Sequence, residues 1–391
     1  MDTNTPRYSS TFSKTVLLCA FWLFTVSCSQ DRAPEPTTES VTEDPVENPT
    51  PLAVGLKDFN PEIKIGGNFS FVDQAKYLAI TETEFNATQV LYYAGFGGWP
   101  SRNEYDFTNL NTSVNWLAER NIGTHIHMLF GPDLYMPDWL KKVTWTPEEL
   151  DSLMQEYIQN IMDANDNKNK VAVWNVINEL FNDDGTYRSD MVWNQMGFED
   201  DISDLTGDEN INTQHPIFIR KAFEYCRNAT SAKLEYRDYL IENNDPGSGW
   251  DKKHKATYQL LKHMLNSNIP LDAVGIQGHF DIGELGWVLD NKGLQQIVEK
   301  FKALGLEVYI TEMDIGTKGA YTTAEQEQQR TDFYNYTLQA LNGGAERIYT
   351  WGVHDGRDQF WRTDEKPLLW DANLDPKKAY EGVKKALQDA D

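Results

Sequence analysis

The chain has 391 residues, three cysteines and a formal net charge of -25 at pH 7. So acidic a chain is excluded from gripping nucleic acid or an anionic membrane surface by the electrostatics of its folded part, and neutral or weakly charged partners remain open. Cys19 and Cys28 lie near the start, so Cys226 has no partner within the domain and an apolar core must hold the fold together.

In chain order, Arg7 and Lys14 precede an apolar run from Val16 to Val26, which is too short to span a bilayer stably. Thr25-Val26-Ser27-Cys28 follows, so residues 1–27 read as a lipoprotein-type signal with lipid attached at Cys28. Thr25 stands where that motif usually has Leu, and ordinary secretion with an incidental cysteine is the alternative. Residues 28–56 are rich in Pro, Glu, Thr and Asp and poor in large apolar groups. They cannot bury enough surface to offset the entropy of ordering and read as a flexible tether.

From residue 57 to 391, strand-like and helix-like runs alternate. Strands are expected at Ile63–Phe71, Ala87–Tyr93, Gly123–Leu129, Val171–Asn178, Ala232–Tyr239, Ala273–Phe280, Glu307–Thr311 and Arg347–Val353. Helices are expected at Thr108–Arg120, Pro147–Ala164, Pro216–Asn228, Lys252–Ser267, Gly293–Leu304 and Ala324–Asn342. Thr146 and Thr323, each followed by an acidic first turn, read as N-caps. Cys226, within a helical pattern, reads as a packing residue. Eight such units imply an α/β fold of one (β/α)8 barrel, with its site at the carboxyl ends of the strands. The alternative, an open doubly wound sheet, lacks a glycine-rich phosphate loop.

Two strands end in an acid. Val171–Asn178 runs into Glu179, and Leu306–Thr311 into Glu312. Glutamate is rarely buried unless paired, so two strand-end carboxylates suggest chemistry. Glycoside hydrolysis needs such a pair, one to protonate the leaving oxygen and one to attack or to activate water. A structural ion pair or a solvated strand end is the alternative. Asp314, two residues beyond Glu312, faces the same way on an extended chain and reads as a support for His or Arg groups.

Val173–Arg188 resembles the acid/base region of glycoside hydrolase family ten, the xylanase family, and Tyr309–Ile315 resembles its nucleophile strand. Val274–Phe280 and Tyr349–Val353 resemble its sixth and eighth strands, and Pro367–Asp371 and Pro376–Tyr380 its closing segment. The resemblance implies Glu179 as general acid/base and Glu312 as nucleophile of a retaining enzyme, with carboxyl groups about 5–5.5 Å apart. It further implies Asn178 on the sugar 2-hydroxyl, His279 holding Glu312, and His125 beside the scissile bond. His127, two residues on and on the same strand face, leaves that last register open. Trp351 and Trp361 match two tryptophans that line the glycone side. No cofactor is implied, and no metal, since neither a His-Glu-x-x-His motif nor a Cys pair is present; a structural calcium in Asn182–Gly185 has nothing to support it.

The resemblance breaks at three places. The family's Glu-Asn-x-x-Lys cluster after strand two is replaced by a stretch containing Tyr92-Tyr93. The Trp-His after strand three appears as Leu129-Phe130, followed by a long Gly131–Met136 loop, and Arg237 stands for the Asn of the fifth strand. The expectation is a retaining endo-acting hydrolase of a β-1,4-linked polysaccharide, xylan by default. A decorated or different β-glycan and a non-catalytic glycan-binding surface protein are the alternatives. The partner is polysaccharide, the membrane is met only through lipid on Cys28, the location is a bacterial outer membrane or cell surface, and the chain is a monomer.

Overall fold

In the computed structural model, which describes residues 54–243, 251–319, 321–356, 362 and 364–390, every expected strand is present. They are β1 (Lys64–Phe69), β2 (Ala87–Leu91), β3 (Gly123–Phe130), β4 (Val173–Asn178), β5 (Lys233–Asp238), β6 (Ala273–Ile276), β7 (Glu307–Gly316) and β8 (Arg347–Thr350). Each pairs in parallel with the next, and β8 returns to β1 with Lys64 opposite Arg347 and Gly67 opposite Thr350. The ring is a closed (β/α)8 barrel. Closure leaves no barrel strand edge unpaired.

A helix follows each strand: α1 (Ala75–Glu84), α2 (Thr108–Ala118), α3 (Pro147–Asp163), α4 (Ile217–Ala229), α5 (Asp251–Asn266), α6 (Gly293–Lys302), α7 (Thr323–Asn342) and α8 (Lys378–Asp389). Their apolar stripes explain the outer layer. In α4, Phe218, Ile219, Ala222, Phe223 and Cys226 are buried, so Cys226 is a packing residue. Two helices, α1 and α8, lie outside the sequence expectation. The first buries only Tyr77 and Thr81, too little to show a stripe. The second buries Ala379, Tyr380, Val383, Ala386 and Leu387, a helical spacing hidden within what reads as a closing segment.

Two strand ends also differ. β6 stops at Ile276, because Gly278 takes φ +84° and breaks the extended chain before a short separate strand, His279–Asp281. β7 continues to Gly316, where that short strand pairs with it from Asp314 to Gly316. From Leu52 onward the chain is one compact unit. The signal, the Cys28 site and all but the last residues of the tether lie outside the described residues. Among the described residues, no helix is long and apolar enough to cross a membrane.

Thr146 caps α3 as expected, its hydroxyl accepting from the Glu149 amide while Glu149 reaches back. For α7 the cap is Thr322 rather than Thr323: Thr322 Oγ1 accepts from Glu325 N, and Glu325 returns the bond to the Thr322 amide. Glu325 is three residues from Thr322, which fits a capping box, and only two from Thr323. Thr322→Ala is therefore expected to lower unfolding free energy by about 1 kcal/mol, and Thr323→Ala to leave it nearly unchanged. Chemical denaturation of the two variants checks the assignment.

Candidate active site

The strands that carry the chemistry lose regular register just where it begins. β3 and β4 shift between His127 and Phe130, β4 and β5 between Asn175 and Ile177, and β7 and β8 between Ile310 and Met313. Such irregularities re-aim side chains, and here they turn Asn178, Glu179 and Glu312 toward the barrel mouth. Glu179 sits just past β4 at φ +56°, a conformation uncommon outside glycine and typical of functional positions. Its amide donates to the Arg237 carbonyl at 2.9 Å.

Gln277, immediately after β6, ties the two acids together. Its Nε2 donates to Glu179 Oε1 at 2.9 Å and lies 3.4 Å from Asn178 Oδ1. Its carbonyl accepts from the Glu312 amide at 2.8 Å. One residue thus orients the carboxyl of Glu179, steadies Asn178 and fixes the backbone that carries Glu312.

Beneath and beside Glu312 runs a chain of side chains of alternating charge. At the floor, Glu235 accepts from Arg237 through both oxygens, Nε and Nη2 each at 3.1 Å. Arg237 Nη1 donates to Glu312 Oε1 at 3.0 Å. His279 Nε2 lies 3.1 Å from Glu312 Oε2, and its Nδ1 lies 3.1 Å from Asp314 Oδ1. Arg362 follows, with Nε 3.4 Å from Asp314 and Nη1 2.8 Å from Asp281. Glu235 and Arg237 are wholly buried, and Glu312 is 3% exposed. Room for Glu235 comes from Gly275 on β6, where a Cβ would stand 1.9 Å from Glu235 Oε1.

These surroundings divide the protons. Burial is the main cause that raises the Glu179 carboxyl above the usual range; the charges on Glu312 and Asp238 add to it and the Gln277 hydrogen bond opposes it. A raised carboxyl is what a general acid requires. For His279, burial alone would push the ring down, but Asp314 and then Glu312 outweigh it and lift it to about 10. It is an imidazolium through the neutral range, a cation between two carboxylates.

Of the site residues expected from sequence, Glu179, Glu312, Asn178, His279 and Trp351 come together at the mouth. Trp351 packs edge-on against His127 at 5.3 Å and His279 at 6.1 Å. Trp361 lies outside the described residues. His125 is the correction. Its ring is wholly buried at the floor, Nε2 2.6 Å from Glu235 Oε2, and burial first of all depresses it to about 4. His127 occupies the level of the site, 2.9 Å from Arg237 Nη1 and 3.9 Å from Glu312 Oε1. Both histidines face the barrel interior, and the register shift after His127 places the site one step further along β3. Asp314 supports His279 and Arg362, as its spacing predicts.

Glu235 and Gln277 carry no sequence signal that marks them, since each reads as an interior or strand-end residue. The two departures near β2 and β3 build one feature. Tyr92 turns into the core, but Tyr93 faces the acids and stacks on Tyr135 at 5.0 Å, and Phe96 closes on both at 5.4 and 6.1 Å. Tyr135 comes from the long loop after β3. Burial and then the Glu312 charge raise the Tyr93 hydroxyl well above its ordinary value, so it is a neutral donor.

Among the described residues, Asp201, His215 and His263 converge closely enough to hold a metal ion. Their polar atoms already serve one another. His215 Nε2 meets Asp201 at 2.7 Å, His215 Nδ1 meets the Tyr187 hydroxyl, His263 Nε2 meets Glu199 at 3.1 Å, and His263 Nδ1 accepts from the Ile202 amide. The Asn182–Gly185 loop is likewise knit by its own bonds, Asp184 Oδ1 accepting from the Thr186 amide and hydroxyl.

A family model described as Glycosyl hydrolase family 10 matches residues 69–386. Endo-1,4-beta-xylanase B of Thermotoga neapolitana is 27% identical over 352 residues, 87% of this chain and 92% of that protein. Endo-1,4-beta-xylanase 2 of Aureobasidium pullulans is 28% identical over 298 residues, 74% of this chain and 76% of its own length. Among solved structures, xylanase 10B of Thermotoga petrophila RKU-1, in complex with xylobiose, superposes with a TM-score of 0.73 at 27% identity, covering 86% of this chain and 97% of that one.

The Gln277 hydrogen bond favours the ionised form of Glu179, so removing it favours the protonated form. Gln277→Leu is expected to move the basic limb of the kcat/KM against pH profile upward. It is also expected to lower kcat/KM at the optimum about tenfold, because Asn178 loses a partner. A full pH profile of the variant reads both effects.

Proposed function

This chain belongs to glycosyl hydrolase family 10, and on that premise we propose that its substrate is a β-1,4-linked xylan, attacked within the chain. It is a retaining glycosidase. Glu179, holding its proton, gives it to the glycosidic oxygen as Glu312 attacks the anomeric carbon. A covalent glycosyl-enzyme forms and the leaving sugar departs. Glu179, now ionised, takes a proton from water, which displaces Glu312 and restores the original configuration. Asn178 is placed for the hydroxyl next to the anomeric centre, and His127 and Trp351 for the face of the same sugar. The observation that carries this reading is Gln277, which binds one acid by its side chain and the other by its carbonyl.

The wall of Tyr93, Tyr135 and Phe96 favours a narrower version, a xylan bearing substituents. Tyr93 lies in the stretch where the family has an acid, an amide and a lysine, so in this reading polar grips on bare hydroxyls give way to flat apolar faces. Such faces suit an acetylated or otherwise apolar branch. Residues 1–56 support export and tethering through lipid on Cys28, with the acidic domain held off the membrane as a monomer.

Glu312→Gln is expected to abolish release of reducing ends from xylan. Glu179→Ala is expected to lower xylan hydrolysis by about 10²–10⁴-fold while sparing the first step on aryl glycosides, whose leaving group needs no proton. Added azide should restore turnover of that variant, giving a product whose configuration is that of the substrate. Comparison of plain and acetylated xylan as substrates tests the aromatic wall. Radiolabelled fatty acid incorporation into the full chain and into Cys28→Ser tests the anchor.

A further inference from the structure

Arg237 stands out among the charged groups near Glu312 because no part of it reaches solvent. It is not a generic counter-ion. Glu235 fixes its fork from below through two bonds, which leaves Nη1 aimed at Glu312 Oε1 at 3.0 Å. The other oxygen of Glu312 is held by His279 at 3.1 Å. The carboxylate therefore meets two cations, one per oxygen, and the one on Oε1 cannot move away without giving up both of its bonds to Glu235. A guanidinium held in a planar fork of this kind is geometrically exact and always charged.

We propose that Arg237 is a positioning residue that makes Glu312 a good leaving group in the second half of the reaction. This rests on the retaining reading above. In the first half, a bond forms between a Glu312 oxygen and the anomeric carbon, the glycosidic bond breaks, and the Glu179 proton goes to the departing oxygen. The carboxylate charge is lost at that point, so Arg237 stabilises the start of this step more than its end. In the second half, water oxygen attacks the anomeric carbon, its proton passes to Glu179, and the bond to Glu312 breaks with its electron pair returning to the carboxylate. Charge now develops on the group that Arg237 faces, and the fixed guanidinium stabilises that transition state. The residue thus sets the balance between the two halves, favouring release of the covalent intermediate over its accumulation.

The experiment uses the full chain and an aryl β-xylobioside, on which the first half needs little acid assistance. Arg237→Gln alone leaves Glu235 buried with His125 but without its guanidinium, so the informative variant is Glu235→Gln combined with Arg237→Gln, which removes both charges together. Arg237→Lys tests rescue by charge without the fork. The wild-type protein is first shown to turn the substrate over and to be labelled on Glu312 by a 2-fluoroglycoside; failure there overturns the retaining reading itself. Given that success, the double variant is expected to show kcat reduced about ten- to hundredfold, with KM reduced in parallel and kcat/KM within about threefold of wild type. It should also show a burst of aryl alcohol and a glycosyl-enzyme visible by intact-protein mass spectrometry, with Arg237→Lys intermediate. If kcat/KM falls as far as kcat and no intermediate accumulates, Arg237 supports the fold alone and the inference is overturned.

Discussion

A barrel interior cannot hold a lone charge, because removing an ion from water costs several kcal/mol unless a partner restores what water supplied. That constraint organises everything around Glu312. The nucleophile must be ionised yet is almost fully enclosed, so it is flanked by Arg237 and His279. Each of those cations needs its own anion, Glu235 below and Asp314 beside, and Asp314 is shared with Arg362. With Asp281 on Arg362, seven side chains of alternating sign result, four acidic and three basic. Glu179 stands apart from this chain, touched by the neutral amide of Gln277, and burial therefore favours its protonated form. The same low-polarity interior thus treats the two acids differently: two basic side chains flank Glu312, while burial raises the Glu179 carboxyl above its usual range.

The paired acids and the aromatic wall are carried by different elements of the barrel. The acids, Asn178 and His279 come from the end of β4 and the residue after it, from within β7 and from the residues after β6, positions fixed by the barrel. The aromatic wall comes from the end of β2 and a loop after β3, where the chain can change without disturbing strand pairing. Tyr93 and Tyr135 would be unremarkable one at a time. Stacked at 5.0 Å beside both acids, they present a flat surface to the site.

The barrel was legible because buried parallel strands are short apolar runs and most of the helices carry a stripe; α1 was missed because it scarcely has one. Glu179 and Glu312 were legible because an acid at the end of such a run has no packing reason to be there. The histidine was not, because His125 and His127 share a strand face and only the shift in register shows which stands level with the acids. Glu235 and Gln277 escaped for a related reason. Their importance lies in partners brought from other strands, and nothing in the spacing along one chain displays that. Arg237 could be seen as a departure, but its meaning needed the carboxylates on both sides of it.

Gly275 constrains more of the floor than its own strand. Because Glu235 fills the space a Cβ would take, and Arg237 is held by Glu235, positions 235, 237 and 275 are interlocked. A Cβ at 275 would overlap the Glu235 carboxylate, and removing the charge at 235 or 237 takes two hydrogen bonds from the other. Replacing Arg237 by an amide on the fifth strand thus calls for a compensating loss of charge at Glu235. A mutagenesis library meant to reshape this floor should vary 235 and 237 together, and open 275 to larger residues only where 235 has become smaller.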